Sequence, residues 1–251
     1  MKLTDNRILI TGGATGIGFA LAEEFLKRGN TVLVCGRREE KLREAASKAP
    51  GLQTKLADIS DPNDRKSLAE WGISNGVNIL VNNAGMQREI DFTRGIEALE
   101  EGDNEVRINL EGTIYLTALF LPYLFEQDNA AILNVSSGLG FVPIAIMPVY
   151  CATKAAIHSF TISLRHQLTP AGLKVFEVIP PTVDTDLDRG AREKRGQIDR
   201  GISAEDVAAA VIEGMQNDRP EIAIGIAANL VGASKTPAFD TIFQRMNAPR
   251  G

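Results

Sequence analysis

The sequence predicts an α/β fold: a single doubly wound domain over residues 1–251, built on a seven-stranded parallel sheet with helices on both faces. Three observations carry this. Short runs rich in β-branched and apolar residues alternate with amphipathic segments along nearly the whole chain. The first run, Ile8-Leu9-Ile10, is apolar at every position rather than at alternate ones, the pattern of a strand buried on both faces. A glycine-rich turn follows it at once and leads straight into a helical pattern. No repeat or low-complexity linker divides the chain.

Taken in order, the first strand is expected over 7–11, followed by Thr11-Gly12-Gly13-Ala14-Thr15-Gly16-Ile17-Gly18 and a helix over 19–28 that Gly29 ends. Glycines there permit a tight turn and close approach of the backbone to a pyrophosphate, and the helix N-terminus offers free N–H groups and a favourable dipole. Gly12, Ala14, Thr15, Gly16, Ile17 and Gly18 are therefore candidate contacts to a dinucleotide. The second strand, 31–35, ends in Cys35-Gly36-Arg37-Arg38, where NAD-dependent folds place an acidic residue about 20 positions after the loop. The next carboxylates, Glu39 and Glu40, are expected to begin a helix and face away. Arg37 or Arg38 suits a 2′-phosphate, so NADP(H) is favoured and NAD(H) stays possible; an ordinary solvated basic turn is the alternative.

Further strands are expected over 53–57, 78–81, 131–136, 174–179 and 222–224. The charged stretch 184–202 carries little core material and reads as an excursion above the carboxyl edge of the sheet, a solvated loop or a substrate lid. Ser137 ends the fifth strand, and 13 positions later Tyr150 and Lys154 stand four apart at the head of a helical pattern. That spacing puts both on one helical face. An ammonium at roughly 4 Å and an effective dielectric of about 20 is worth ~4 kcal/mol to a phenolate, enough to bring a tyrosine from ~10 to near 7. Proton transfer by Tyr150 is one reading, with the Ser137 hydroxyl available to orient the reacting oxygen; a chance pair, since Tyr and Lys four apart occur on many helices, is the other. His158 and His166, farther along the same helix, suit packing or surface roles.

Thirty-two acidic against 27 basic side chains give a formal charge of −5, which argues against nucleic acid and anionic membrane as partners and favours a small molecule. Cys35 and Cys151 have no His or Cys neighbour at ligand spacing, so neither a disulfide framework nor a metal site is indicated, and both are expected as buried thiols, Cys151 with some sensitivity to alkylation. No run approaches the ~18 apolar residues of a membrane span, and the N-terminus has no signal-like region, so a soluble cytoplasmic protein is expected.

The loop from Thr11 to Gly18, Asn82-Asn83-Ala84-Gly85 after the fourth strand, Asn109, Ser137, and Tyr150 with Lys154 together resemble the short-chain dehydrogenase/reductase family, in its order and spacing from about residue 7 to 225. The resemblance implies a Rossmann-type sheet and a nicotinamide cofactor. It assigns Tyr150 as general acid or base and Ser137 to the carbonyl or alkoxide oxygen. Lys154 would bind the nicotinamide ribose and acidify Tyr150, and Asn109 would hold a water of a proton relay. Ser137 rather than Ser136 has the family's interval to the tyrosine, leaving Ser136 to structural support. Asp58 matches the position that bonds adenine, with Ile59 beside it, and Asn83, Ala84 and Gly85 match the turn under the adenosine ribose, although Asn82-Asn83 would serve equally as strand-ending structural residues. In Pro180-Pro181-Thr182-Val183-Asp184-Thr185 the second proline replaces a usual glycine, which removes a donor. Pro180, Val183 and Thr185 match positions at the carboxamide and phosphates. This double proline and the chain's ending resemble the branch containing the oxidoreductase of bacterial lipoteichoic acid D-alanylation operons.

The implied substrate is a carbonyl compound or alcohol. Leu139, Phe141, Val142, Ile144 and Ile146 are candidates for an apolar wall, or for ordinary loop packing, and Arg189 to Arg195 for meeting an anion. The family implies a homodimer or homotetramer through the helices of Asn109 and Tyr150; Ile114, Leu116, Leu119, Phe120, Ile157, Phe160 and Leu164 fit that face or an internal core. Two other readings compete with an oxidoreductase. A non-catalytic dinucleotide-sensing protein would be expected to lose the tyrosine or lysine. A sugar-nucleotide epimerase generally needs a larger C-terminal substrate domain.

Overall fold

A computed structural model describes residues 1–185, 187, 196 and 201–248. Its strands are β1 (Arg7–Thr11), β2 (Thr31–Gly36), β3 (Gln53–Leu56), β4 (Ile79–Asn82), β5 (Ala131–Val135), β6 (Lys174–Ile179) and β7 (Glu221–Ala223). They form one sheet in the order β3-β2-β1-β4-β5-β6-β7, with every neighbouring pair parallel. The helices are α1 (Gly16–Lys27), α2 (Glu39–Lys48), α3 (Pro62–Ser74), the single turn α4 (Glu97–Glu100), α5 (Gly112–Leu124), α6 (Pro148–Leu168), α7 (Ala204–Gln216), α8 (Ile226–Ala233) and α9 (Ala238–Met246). The expected fold class is therefore the observed one. Because the chain winds outward from β1 to β3 and then returns to β4, the carboxyl ends of β1 and β4 splay their loops apart and open a crevice.

The unbroken apolar run of β1 is explained by its two neighbours. Ile8 and Ile10 join Val32, Val34, Ile79, Val81 and Leu133 on the face covered by α1, α2 and α7. Leu9 joins Leu33, Leu80, Ile132 and Val175 on the face covered by α3, α5 and α6. Each such side chain, wholly removed from water, contributes about 1.5–3 kcal/mol. Leu116, Phe120, Ile157 and Leu164 are buried within this chain, so they belong to the core rather than to an interface.

Helix starts differ in a way that matters for the site. Asp61 caps α3 by accepting from the N–H groups of Asn63 and Asp64, and Ser203 caps α7 through the Asp206 N–H. Helix α1 begins three residues earlier than the pattern indicated, at Gly16, with Thr15 extended before it and no side-chain cap. Its first N–H groups thus face the crevice at the end of β1.

A buried polar ladder aligns the second layer. The Asn82 amide donates to Thr117 at 3.0 Å and to Asn134 at 2.9 Å, and the Asn134 amide donates to Thr161 at 3.0 Å. These bonds join α5, β4, β5 and α6, the elements that hold the catalytic candidates. Most of the predicted lid, including Arg189 to Arg195, lies outside the described residues. Its ends meet at a parallel bridge between Val183 and Ile202, with the Asp184 N–H donating to the Ile202 carbonyl at 2.9 Å.

Candidate active site

Proline at the first position of α6 fixes the start of the helix. Tyr150 and Lys154 follow on its inner face, 6% and 5% exposed. The Lys154 Nζ lies 5.8 Å from the centre of the Tyr150 ring and donates to the Val135 carbonyl at the end of β5 at 2.8 Å. Among the described residues no carboxylate is hydrogen-bonded to it. Burial without a counter-charge pulls its pKa from 10.5 down to about 8.

Ser137 sits at the same strand end. Its Oγ accepts from the Leu139 N–H at 3.2 Å, capping the 3-10 turn Gly138–Gly140 and leaving the hydroxyl hydrogen to donate elsewhere. That turn lies directly on α6: a Cβ placed on Gly140 would stand 2.9 Å from the Lys154 carbonyl carbon and the Ala155 nitrogen. Glycine there allows the serine turn and the Tyr150–Lys154 helix to touch backbone to backbone.

Asn109 lies in a π-helical turn, Val106–Glu111, rather than in regular α-helix. Its side chain accepts from the Met86 N–H at 2.8 Å and donates to the Met86 carbonyl at 2.8 Å and Thr153 at 3.1 Å. The amide is thus spent on tying α6 to the segment after Gly85. Its backbone carbonyl, which also accepts from Thr113 at 3.2 Å, is the group with capacity for the water that the family resemblance implies. A Cβ on Gly85 would stand 3.4 Å from the Asn109 Oδ1 and 3.5 Å from the Lys154 Nζ. Gly85, Asn109 and Lys154 therefore bound one small space.

The glycine loop is packed for close approach. Gly12 has φ +64°, and a Cβ on it would meet the Ala84 Cα at 2.9 Å; a Cβ on Gly18 would meet the Asn83 amide nitrogen and the Gly12 carbonyl at 2.5 Å. The Asn83 amide donates to the Thr11 carbonyl at 2.9 Å, and the Asn83 and Ala84 N–H groups both donate to the Thr11 hydroxyl at 3.0 Å. Of the two roles open to Asn83, its side chain fills the structural one. Ala14, Thr15, Gly16 and Ile17 are partly exposed at the uncapped start of α1. Thr185 reaches over them, its methyl 3.0 Å from the position of a Gly16 Cβ. Val183 is buried, and the Pro180 carbonyl accepts from the Gly138 N–H at 3.1 Å.

At the other end of the crevice, one Asp58 oxygen accepts from the Ser60 N–H and hydroxyl at 2.8 Å each, while the second lies 3.6 Å from Arg37. Ile59 is buried. Arg38 is exposed at the start of α2, where Glu39 pairs with Arg43, as expected of a carboxylate facing away. Arg37 is already engaged: its guanidinium donates to Asp103 at 2.7 Å.

Sequence reasoning missed Asp103, which nothing in its polar neighbourhood marked, and two buried acids. Glu177, fully buried on β6, accepts from Ser136 at 2.6 Å and bonds His158 Nδ1 at 2.9 Å; His158 packs on Phe141 with ring centres 4.3 Å apart. A glutamate within Val-Phe-Glu-Val-Ile was the available signal. Ser136 thus braces the strand end behind Ser137. Glu105 is buried against Arg88, and burial raises its pKa. In the expected apolar wall, Phe141 and Val142 are buried, whereas Leu139 and Ile144 pack beside Met147, Tyr150 and Cys151. Cys35 and Cys151 are free and buried, and burial raises both thiols, so nothing favours alkylation of Cys151. No described helix is long and apolar enough to cross a membrane.

Comparison with known proteins agrees with this fold. The model of the short chain dehydrogenase family matches residues 6–196. The uncharacterized oxidoreductase DltE of Bacillus subtilis is 44% identical over 249 residues, covering 98% of each chain, in keeping with the branch resemblance. A short chain dehydrogenase from Burkholderia cenocepacia, solved in complex with NADP, superposes with a TM-score of 0.82 at 24% identity, covering 99% of this chain and 100% of that one. The 3-ketoacyl-(acyl-carrier-protein) reductase from Brucella melitensis, solved with NADH, gives 0.77 at 27% identity over 87% and 94%.

The Lys154 ammonium is the group whose titration reports on this site. In the cofactor-free protein, NMR of isotopically labelled lysine should find it titrating at about 8; a value at 10.5 contradicts the desolvated environment. The unfolded chain holds this proton up to 10.5, so its burial penalty applies in full below about pH 8 and is relieved as pH rises through that window.

Proposed function

The chain belongs to the short-chain dehydrogenase family, and on that premise we propose that it is an NADP(H)-dependent oxidoreductase acting between a ketone or aldehyde and the corresponding alcohol, with Tyr150 as general acid and base. One observation carries the reading: a buried lysine ammonium, with no carboxylate hydrogen-bonded to it among the described residues, beside a buried tyrosine, at the end of the crevice that begins with an uncapped helix.

The residues present fit a nicotinamide dinucleotide. The bare N–H groups at the start of α1 and the close-packed Gly12 and Gly18 suit a pyrophosphate. The space bounded by Gly85, Asn109 and Lys154 suits the nicotinamide ribose, whose hydroxyls would accept the Lys154 donors not used by Val135. Asp58 and Ile59 would hold the adenine, Thr185 and Val183 the carboxamide end, and Arg37 with Arg38 the 2′-phosphate that distinguishes NADP(H) from NAD(H). When bound, the cofactor supplies or accepts the hydride.

The chain's own side chains do the rest. Ser137, its Oγ already oriented by the Leu139 N–H, donates its hydrogen to the substrate oxygen. Tyr150 gives a proton to that oxygen in reduction and takes it back in oxidation. Lys154 favours the phenolate because a cation in a water-poor site has little else to screen it. Asn109 acts by position: its amide holds α6 against Met86, and its carbonyl is the place for a relay water. Leu139 and Ile144, beside Tyr150, suit an apolar substituent on the substrate.

We read the chain as one domain carrying the 184–202 excursion, working in the cytoplasm as a homodimer or homotetramer. Unpaired buried cysteines fit that compartment. The exposed apolar residues Tyr115 and Leu119 on α5 and Ile162 on α6 fit the face for a second copy. Light scattering should give a multiple of the chain mass that Leu119→Asp reduces; a monomer in wild type contradicts it.

The function is tested by assaying a panel of ketones, aldehydes and alcohols at the nicotinamide absorbance band, with wild type and Tyr150→Phe. Tyr150→Phe should retain NADPH binding and lose at least 100-fold in turnover, the scale of a lost general acid. Turnover above a few per cent of wild type removes Tyr150 from the role. NADPH binding with no consumption of any compound would favour a dinucleotide-sensing protein.

A further inference from the structure

Resting on the assignment of Arg37 to a 2′-phosphate, we propose that Asp103 is a specificity-determining residue: it is the counter-anion that Arg37 exchanges for the 2′-phosphate, and it moderates the preference for NADP(H) over NAD(H).

Strand β2 ends without the carboxylate that would accept a ribose hydroxyl, and in its place stand Gly36, Arg37 and Arg38. A carboxylate arrives instead from a distant part of the chain. Asp103, 66 residues on, accepts from the Arg37 guanidinium at 2.7 Å, closer than Asp58 at 3.6 Å. The two side chains are 43% and 51% exposed, so a ligand entering the crevice reaches both.

Asp103 is held in this place by its neighbours. Next to it, the Asn104 Oδ1 accepts from the Val106 and Arg107 N–H groups at 3.0 and 3.1 Å, capping the turn that carries Asn109. Glu105 then accepts from the Arg88 N–H at 3.0 Å, and on the other side Gly102 turns the chain with φ +76°. The segment 86–105 therefore spans the crevice, with Asn109 holding it at one end and Asp103 meeting Arg37 at the other.

A guanidinium presents the same forked donors to a carboxylate and to a phosphate. A 2′-phosphate on Arg37 competes with Asp103 for the Nη1 donor, and the carboxylate, displaced or not, remains close to a doubly charged anion. A 2′-hydroxyl makes no such demand, so NAD(H) binds with the Arg37–Asp103 pair intact. Asp103 thereby weakens NADP(H) and spares NAD(H). Because the pair is half exposed and screened, the effect is modest, about fivefold.

The test is a charge series, wild type, Asp103→Asn and Asp103→Lys, with Kd for NADPH and NADH read by nicotinamide fluorescence at one fixed ionic strength, and Arg37→Ala measured alongside. The Kd for NADPH should fall about fivefold in Asp103→Asn and further in Asp103→Lys, while NADH stays within about twofold. An unchanged NADPH affinity across the series overturns the proposal, and so does a selective loss of NADH, which would make Asp103 a ribose ligand. Arg37→Ala separates the two possible failures. Selective loss of NADPH there with a flat Asp103 series refutes the role of Asp103 and keeps that of Arg37. No selective loss in Arg37→Ala refutes the Arg37 reading and the inference with it.

Discussion

A lysine ammonium removed from water, with no carboxylate hydrogen-bonded to it among the described residues, is the constraint on which the site depends. The drop of Lys154 to about 8 corresponds to a cost of about 3 kcal/mol for keeping it charged at neutral pH. The Val135 carbonyl offsets part of that cost and occupies one of three donors. In the proposed reaction a Tyr150 phenolate would be the anion that balances the rest. On the proposed reading, the same desolvation that weakens the cation strengthens its pull on a neighbouring phenol.

Holding that ammonium in place requires rigidity from several directions. The ladder from Thr117 through Asn82 and Asn134 to Thr161 fixes α6 against β4 and β5. Gly140 lets the Ser137 turn lie on the backbone of Lys154. Asn109 ties the floor of the site, at Gly85 and Met86, to Thr153 on the same helix. Buried polar groups of this kind are costly when unpaired, so each bond also penalises displacement of the others. The crevice between β1 and β4 supplies the space, because the connections leaving these two strands run to opposite sides of the strand order.

Local patterns reported the fold well. The uninterrupted Ile8-Leu9-Ile10 encodes burial on both faces, and seven such runs separated by helical patterns admit few other arrangements. That Ser137 ends β5, that Tyr150 and Lys154 share one face of α6, and that the glycine loop leads into α1 were legible because these placements depend on short sequence intervals. Interactions between distant segments were not. Arg37 looked available to a phosphate, and its pairing with Asp103 depends on a fold of 66 intervening residues. For Asn109 the family resemblance implied a relay water; that its amide also staples the segment after Gly85 was not legible, because Met86 lies 23 residues away. Helix positions such as Leu116 and Phe120 could be assigned to core or interface only once the layers were known.

The most direct test of the proposed Tyr150–Lys154 pair is the pH dependence of kcat/KM for alcohol oxidation, using whichever alcohol turns over, in wild type and Lys154→Met. With the ammonium present, the rate should reach its plateau near neutral pH; without it, the rise should move up toward the ordinary titration range of tyrosine, about 10. Superimposable profiles in the two proteins would contradict the account, because Lys154 would then have no electrostatic hold on the proton that Tyr150 transfers.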